Sequence, residues 1–284
     1  MDSTSDLCFV RFEERKAKVS KETIALGLEY MGTAFHGFQA QRGPVTVQGV
    51  LEKALAYVAD EPVRVTAAGR TDAGVHATHQ IVSFGGPPRP LSAWVRGVNA
   101  VIGDDVSVIW AERVPEGFDA RRSAVWRRYI YVFGESDLRP AIGKDLACWQ
   151  DKILDVNRMQ EAAQVLLGKH DFSSFRAAQC QASTPYRCIE KMTVSRSGRM
   201  VAIDTVANAF LMHMVRNIAG TLAQVGSNML HASDVETLLA ARNRSLAPPT
   251  APPHGLYLVQ VSYPNFSRPI EARRPIILGP QVVD

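Results

Sequence analysis

Val63-Arg64-Val65-Thr66-Ala67 is followed by Ala68-Gly69-Arg70-Thr71-Asp72-Ala73-Gly74-Val75-His76-Ala77, and then by a second apolar run through Gln80-Ile81-Val82-Ser83-Phe84. The two runs read as consecutive strands, the second near His79 to Phe84, joined by a glycine-bracketed turn. Upstream, Thr23–Tyr30 alternates like a strand. Thr46 then caps a helix over Val47–Val58, with Val47, Val50, Leu51, Ala54, Leu55 and Val58 on one face. Downstream, Pro87, Pro88 and Pro90 break the chain, Ser92 caps a helix to about Val101, and Val106–Val114 is a strand. The order is β-α-β-β-α-β.

A similar order follows in the second half. Ala124–Phe133 reads as a strand and Val156–Leu167 as a helix ended by Gly168. Cys188–Ser195 and Met200–Ala207 form a hairpin around Ser197-Gly198. Helices over Phe210–Gly226 and Ser233–Asn243 precede a last strand, Gly255–Tyr263. This predicts an α+β protein of two ferredoxin-like (RNA-recognition-like) α/β sandwich units with mostly antiparallel sheets. The sheet faces without helices are expected to line a central active-site cleft. The expected division is an N-terminal arm at 1–21, a domain at 22–120 with the Asp72 turn, a domain at 121–268 and a tail at 269–284.

Bulk properties bound the function. The 284 residues are 46% apolar and carry a net charge of +4, enough for a full core and compatible with an anionic partner. Cys8, Cys148, Cys180 and Cys188 form no CxxC pair and suit reduced thiols in a cytoplasmic protein. No apolar run approaches the roughly 18 residues of a membrane span, and the arm lacks the apolar core of a signal peptide. GxxxxGK[ST], HExxH and GxSxG are absent. His76 and His79 would face opposite sides of a strand, and a hydrolytic metal site on them lacks a third ligand.

Asp72 beside Arg70 suits a site where backbone approaches a ligand, and equally an ordinary turn in which the carboxylate bonds its own backbone. Arg121, Arg122, Arg127 and Arg128 surround a strand carrying Tyr129 and Tyr131. Arginine next to aromatic rings is the pairing that grips phosphates while stacking bases, and also occurs as plain solvated charge. Phe210-Leu211-Met212-His213-Met214-Val215-Arg216 is apolar on nearly all sides. Arg216 within it either reaches the surface or meets a carboxylate, with Asp72 a candidate that the pairing would keep charged.

Gly69–His76 resembles the signature of the TruA-type tRNA pseudouridine synthases. Five further blocks match that family in order: Tyr30–Gln39 with Thr46-Val47-Gln48; Phe118–Arg121 with Arg128–Tyr131; Leu167–Phe172; Ala209–Ile218; and Ala251–Leu258. Together they run from about residue 23 to 264. The resemblance implies that Asp72 is the catalytic carboxylate, that Arg70 helps displace the target base, that Tyr129 stacks on the uracil, that Arg216 pairs with Asp72 and that Leu256 packs beneath the base. It implies a homodimer that takes the tRNA anticodon stem-loop into a cleft, modifies uridines at positions 38–40 and uses no cofactor and no metal. Arg121, Arg127 and Arg128 are expected against the RNA backbone. His79 stands where the family more often has a glycine and is expected beside the active-site turn. The alternative is a non-catalytic tRNA-binding or folding module, which an altered Asp72, Tyr129 or Arg216 would mark; all three are present.

Overall fold

The structure is a computed structural model and describes residues 21–264, 266 and 271–279. The expected arm therefore lies outside the described residues except for Lys21. So do Cys8, residues 265, 267 and 268, and the parts of the tail before 271 and after 279. Along the chain come β1 (Glu22–Tyr30), α1 (Val47–Ala59), β2 (Thr66–Ala67), β3 (His76–Gly86), β4 (Val106–Arg113), β5 (Trp126–Glu135) and β6 (Cys148–Gln150). There follow α2 (Val156–Gln164), β7 (Gly168–Asp171), β8 (Tyr186–Ser197), β9 (Met200–Ala207), α3 (Met214–Gly226), α4 (Ala232–Ala241) and β10 (Leu256–Ser262).

The strands form one mixed, mostly antiparallel sheet in the order β4-β1-β3-β10-β5-β9-β8-β7, with β2 on β3 and β6 beside β5. The parallel contacts are β10 on β3 and β6 on β5. The first half runs β4-β1-β3-β2, and the four main strands of the second (β5, β8, β9 and β10) run β10-β5-β9-β8, so each set of four places its last strand beside its first, and its third beside its second. The halves meet where Tyr257 and Leu258 pair with His76 and Ala77.

Helix positions follow from caps and stripes. Thr46 Oγ1 accepts the Gly49 N–H at 3.2 Å, and α1 buries Val47, Leu51, Ala54, Leu55 and Ala59 against the sheet. The Asp155 carboxylate accepts the N–H groups of Asn157 and Arg158 to start α2. One large cluster joins Ile24, Leu26 and Leu28 with Leu51 and Leu55, and Tyr131 and Phe133 with Ile218 and Leu222. A second cluster (Ile130, Val132, Ala202, Tyr257, Val259 and Leu278) lies on the opposite face of the sheet. No helix among the described residues is long and apolar enough to cross a membrane.

Several expectations are corrected. The strand expected over Val63–Ala67 pairs only at Thr66 and Ala67, because α1 takes the backbone before it. Glu52 accepts the Val65 N–H at 3.1 Å, and Gln48 donates to the Val65 carbonyl. The helix expected from Phe210 starts at Met214, since His213 has φ +61° and breaks the turn. The segment after Ser92 is π-helical at Ala93–Gly97. The helix-free face near the seam does not carry the expected site residues, because Tyr129 and Leu256 pack in the cluster on the helix-covered face. Chain after β10 covers the helix-free face there, with Glu271 accepting from His79 and Leu278 in the second cluster.

Gly32, directly after β1, touches the Asp72 loop so closely that a Cβ there would lie 2.0 Å from the Val75 carbonyl oxygen. Backbone cannot yield as a side-chain tip can. Gly32→Ala is therefore expected to cost about 2 kcal/mol of stability, read as a lowered urea midpoint with unchanged slope.

Candidate active site

The Asp72 loop is held on all sides by earlier and later chain. Thr71 is buried and its hydroxyl shares a 2.8 Å hydrogen bond with the Tyr30 phenol. The Phe38 N–H donates to the Thr71 carbonyl at 3.0 Å. A Cβ on Gly37 would stand 3.0 Å from that same oxygen, and its φ of +88° suits glycine. The buried Gln80 amide clamps Gly69 twice, donating to its carbonyl at 2.6 Å and accepting its N–H at 3.3 Å. The Val75 N–H closes the turn on the Asp72 carbonyl at 3.2 Å, with Gly74 at φ +78°.

Arg216, in the first turn of α3, reaches this loop. Its Nη1 donates to Asp72 Oδ2 at 3.0 Å and its Nε to the Ala251 carbonyl at 2.9 Å. The side chains are 13% and 24% exposed, so the pair is largely shielded yet keeps an open side. His213 Nε2 lies 3.5 Å from the same Oδ2.

Tyr129 on β5 sits opposite Leu258 of β10, and Leu256 sits opposite Tyr131. Tyr129 and Leu256 are both buried. The Tyr129 hydroxyl stands 3.1 Å from where a Gly69 Cβ would lie, and the Phe210 ring packs edge-on against it at 5.1 Å. Burial pushes the Tyr129 phenol well up, and nearby Tyr30 and Asp72 add to the effect against the opposing charge of Arg127. The ring thus stays a neutral wall. Arg70 is exposed at the loop and makes no ion pair among the described residues. Partial burial and the charge of Arg121 lower its proton affinity. The guanidiniums of Arg70 and Arg121, neither in an ion pair among the described residues, therefore stand near each other at the mouth.

The remaining expected contacts go elsewhere. Arg127 is buried and points inward, donating to the carbonyls of Ala68, Arg121, Ala124 and Asn208. It anchors the root of the Asp72 loop and has little left for phosphate. Arg128 makes a bidentate pair with Asp204. His79 is buried away from Asp72, accepting from Trp110 Nε1 at 3.0 Å and facing the Glu271 carbonyl at 3.0 Å. Arg121 is exposed, its backbone N–H accepted by Asp119. His76 is stacked on Tyr257 and bonded to Gly32 and Asp145. No cluster of three or more His, Cys, Asp or Glu among the described residues could hold a metal ion. Gln80, Tyr30 and Thr71 are loop supports that the sequence does not mark as such. A glutamine heading the run Ile81-Val82-Ser83-Phe84 was the available signal for the first.

A family model described as tRNA pseudouridine synthase matches residues 28–121 and 162–264. The chain belongs to the tRNA pseudouridine synthase family. More particularly, it is 50% identical over 259 residues to the tRNA pseudouridine synthase A of Coxiella burnetii (strain Dugway 5J108-111), covering 90% of this chain and 97% of that one. It is 47% identical over 257 residues to the protein of that name from Shewanella frigidimarina (strain NCIMB 400), at 90% and 98% coverage. The Legionella pneumophila (strain Lens) protein of that name is 48% identical over 243 residues, at 85% and 93% coverage.

Because Arg127 spends its guanidinium on main-chain carbonyls, Arg127→Met should act through the fold. Loss of these charge-assisted bonds is expected to cost roughly 3 kcal/mol, measured by urea unfolding. Binding of tRNA at constant salt should weaken only as far as the folded fraction falls.

Proposed function

We propose that this chain isomerises uridine to pseudouridine at positions 38–40 of the tRNA anticodon stem-loop, with Asp72 as the reacting carboxylate. The observation that carries the reading is the 3.0 Å contact between Asp72 Oδ2 and Arg216. It fixes an anionic oxygen beside a buried aromatic wall in a family that performs this reaction. The N1–C1′ bond breaks, the base turns, C5 bonds to C1′ and gives up its proton, and N1 takes one up. The product is an isomer, so the chemistry is proton movement and transient stabilisation of the sugar. Whether Asp72 attacks C1′ or removes the C2′ proton, it must be charged and held still.

The uridine has to leave its stack, which costs a few kcal/mol. Tyr129 supplies a face for it, Leu256 an apolar floor and Arg70 a donor beside the vacated position. Arg70 and Arg121 supply positive charge for phosphates at the mouth. We read the repeated strand order as two ferredoxin-like units, at 22–120 and 121–268, that share this cleft. A cytoplasmic homodimer presenting two such sites is the assembly this reading carries.

Asp72→Ala and Asp72→Asn should release no tritium from tRNA carrying 5-tritiated uridine while still binding that tRNA. Release by Asp72→Ala at the wild-type rate would falsify the assignment. Affinity for tRNA should fall steeply with added salt, and Arg70→Ala should reduce the logarithmic salt slope by about one. A flat salt response in the wild-type protein would count against phosphate contacts at this mouth.

A further inference from the structure

We propose that His213 is a positioning residue for the reacting carboxylate: with Arg216 it fixes Oδ2 of Asp72, so that Oδ1 is the oxygen presented to the nucleotide. The proposal rests on Asp72 being the reacting group.

His213 directly precedes α3 with φ +61° and ψ +2°, in the left-handed region. That conformation costs a non-glycine residue about 1–2 kcal/mol. Of the other non-glycine residues with positive φ among those described, Asp60 and Arg242 close α1 and α4, and Asn228 lies just beyond α3. Those are the ordinary places for such a residue. A helix start instead favours an extended residue whose side chain accepts an N–H, and His213 makes no such cap. The strained backbone serves a different end: it aims the imidazole so that Nε2 stands 3.5 Å from Asp72 Oδ2.

His213 and Arg216 are three residues apart and lie on one side of the helix start. Both converge on Oδ2, while Oδ1 makes no hydrogen bond with a described residue. One oxygen is thus tethered and the other left for chemistry.

The groups facing the ring are Asp72 on the loop, Arg216 on α3 and Arg244 after α4. Burial lowers the imidazole's proton affinity most. The Asp72 charge opposes this, and Arg216 and Arg244 lower it further. A neutral ring can turn its Nε2–H toward Oδ2, 3.5 Å away, without adding a second full positive charge. A protonated ring would add that charge and weaken the carboxylate as a nucleophile or base. Since the folded-state value is depressed, the neutral ring predominates at and above the ordinary value near 6.5. It gains its proton only at lower pH. Activity supported by the neutral ring is complete above that range and lost as pH falls through it.

The test is the pH profile of kcat and kcat/KM for tritium release by the wild type, His213→Asn and His213→Gly, with Asp72→Ala as control. Asparagine and glycine both tolerate the left-handed backbone, so at least one is expected to fold. The expected result is a kcat lowered by roughly ten- to a hundredfold at neutral pH, an almost unchanged KM for tRNA, and an acid limb displaced from that of the wild type. Variant profiles that superimpose on the wild type, or that fall by the same factor at every pH, would overturn the positioning role. Activity in Asp72→Ala would instead overturn the assignment of Asp72 itself.

Discussion

The contact between Asp72 and Arg216 joins residues 144 positions apart. It also joins the two halves of the molecule, because Asp72 precedes β3 and Arg216 belongs to the helix packed on β5. A surface ion pair would add little to stability. This one is mostly shielded, and each partner has a second attachment. Arg216 is pinned to Ala251, which returns its own N–H to the Arg216 carbonyl at 3.1 Å. The Asp72 turn is pinned through Thr71, Val75 and Gly69. The pair is therefore a junction of two preformed arms, and the entropy of fixing the carboxylate is met in folding rather than on binding.

Absent side chains shape the loop as much as present ones. A Cβ on Gly32, Gly37, Gly69 or Gly74 would meet Val75, Thr71, Tyr129 and Pro253 respectively, at 3.1 Å or less. The opening block of the chain lies against the loop where Gly32 and Gly37 permit it. This explains why two segments some forty residues apart carry glycine around one carboxylate.

Much of the fold was legible because it rests on local rules. Alternation marked β1, the Ser197-Gly198 turn marked the hairpin of β8 and β9, and Thr46 marked the start of α1. What stayed hidden depends on side chains from elsewhere. Glu52 removed the backbone of Val65 from the sheet, which no strand propensity encodes. Arg127 and Arg128 are neighbours on one strand and look alike in sequence, yet one is spent on the Ala68 loop and the other on Asp204. Their fates depend on which face of β5 meets which loop. The apolar run before Arg216 looked helical because its composition is helical; the left-handed His213, together with bonds from Met212 to Ala177 and Cys180, keeps the chain before Met214 out of the helix. Residue chemistry alone left Asp72 open between a plain turn and a partner for Arg216, because their contact depends on how two distant segments pack.

The site stands where it does because β3 and β10 pair in parallel. Antiparallel neighbours send the loops that enter them to opposite ends of the sheet. Parallel neighbours bring those loops to the same end. The loop entering β3 carries Asp72, and the loop entering β10 carries Ala251, Pro252 and Pro253. Ala251 accepts from Arg216, Pro252 accepts the Tyr131 hydroxyl at 2.7 Å, and Pro253 lies against Gly74. Each half alone is antiparallel throughout its four main strands, and neither could assemble these groups. The single parallel step that joins them converts two sheets into one and leaves a carboxylate, its arginine and an aromatic wall at the joint.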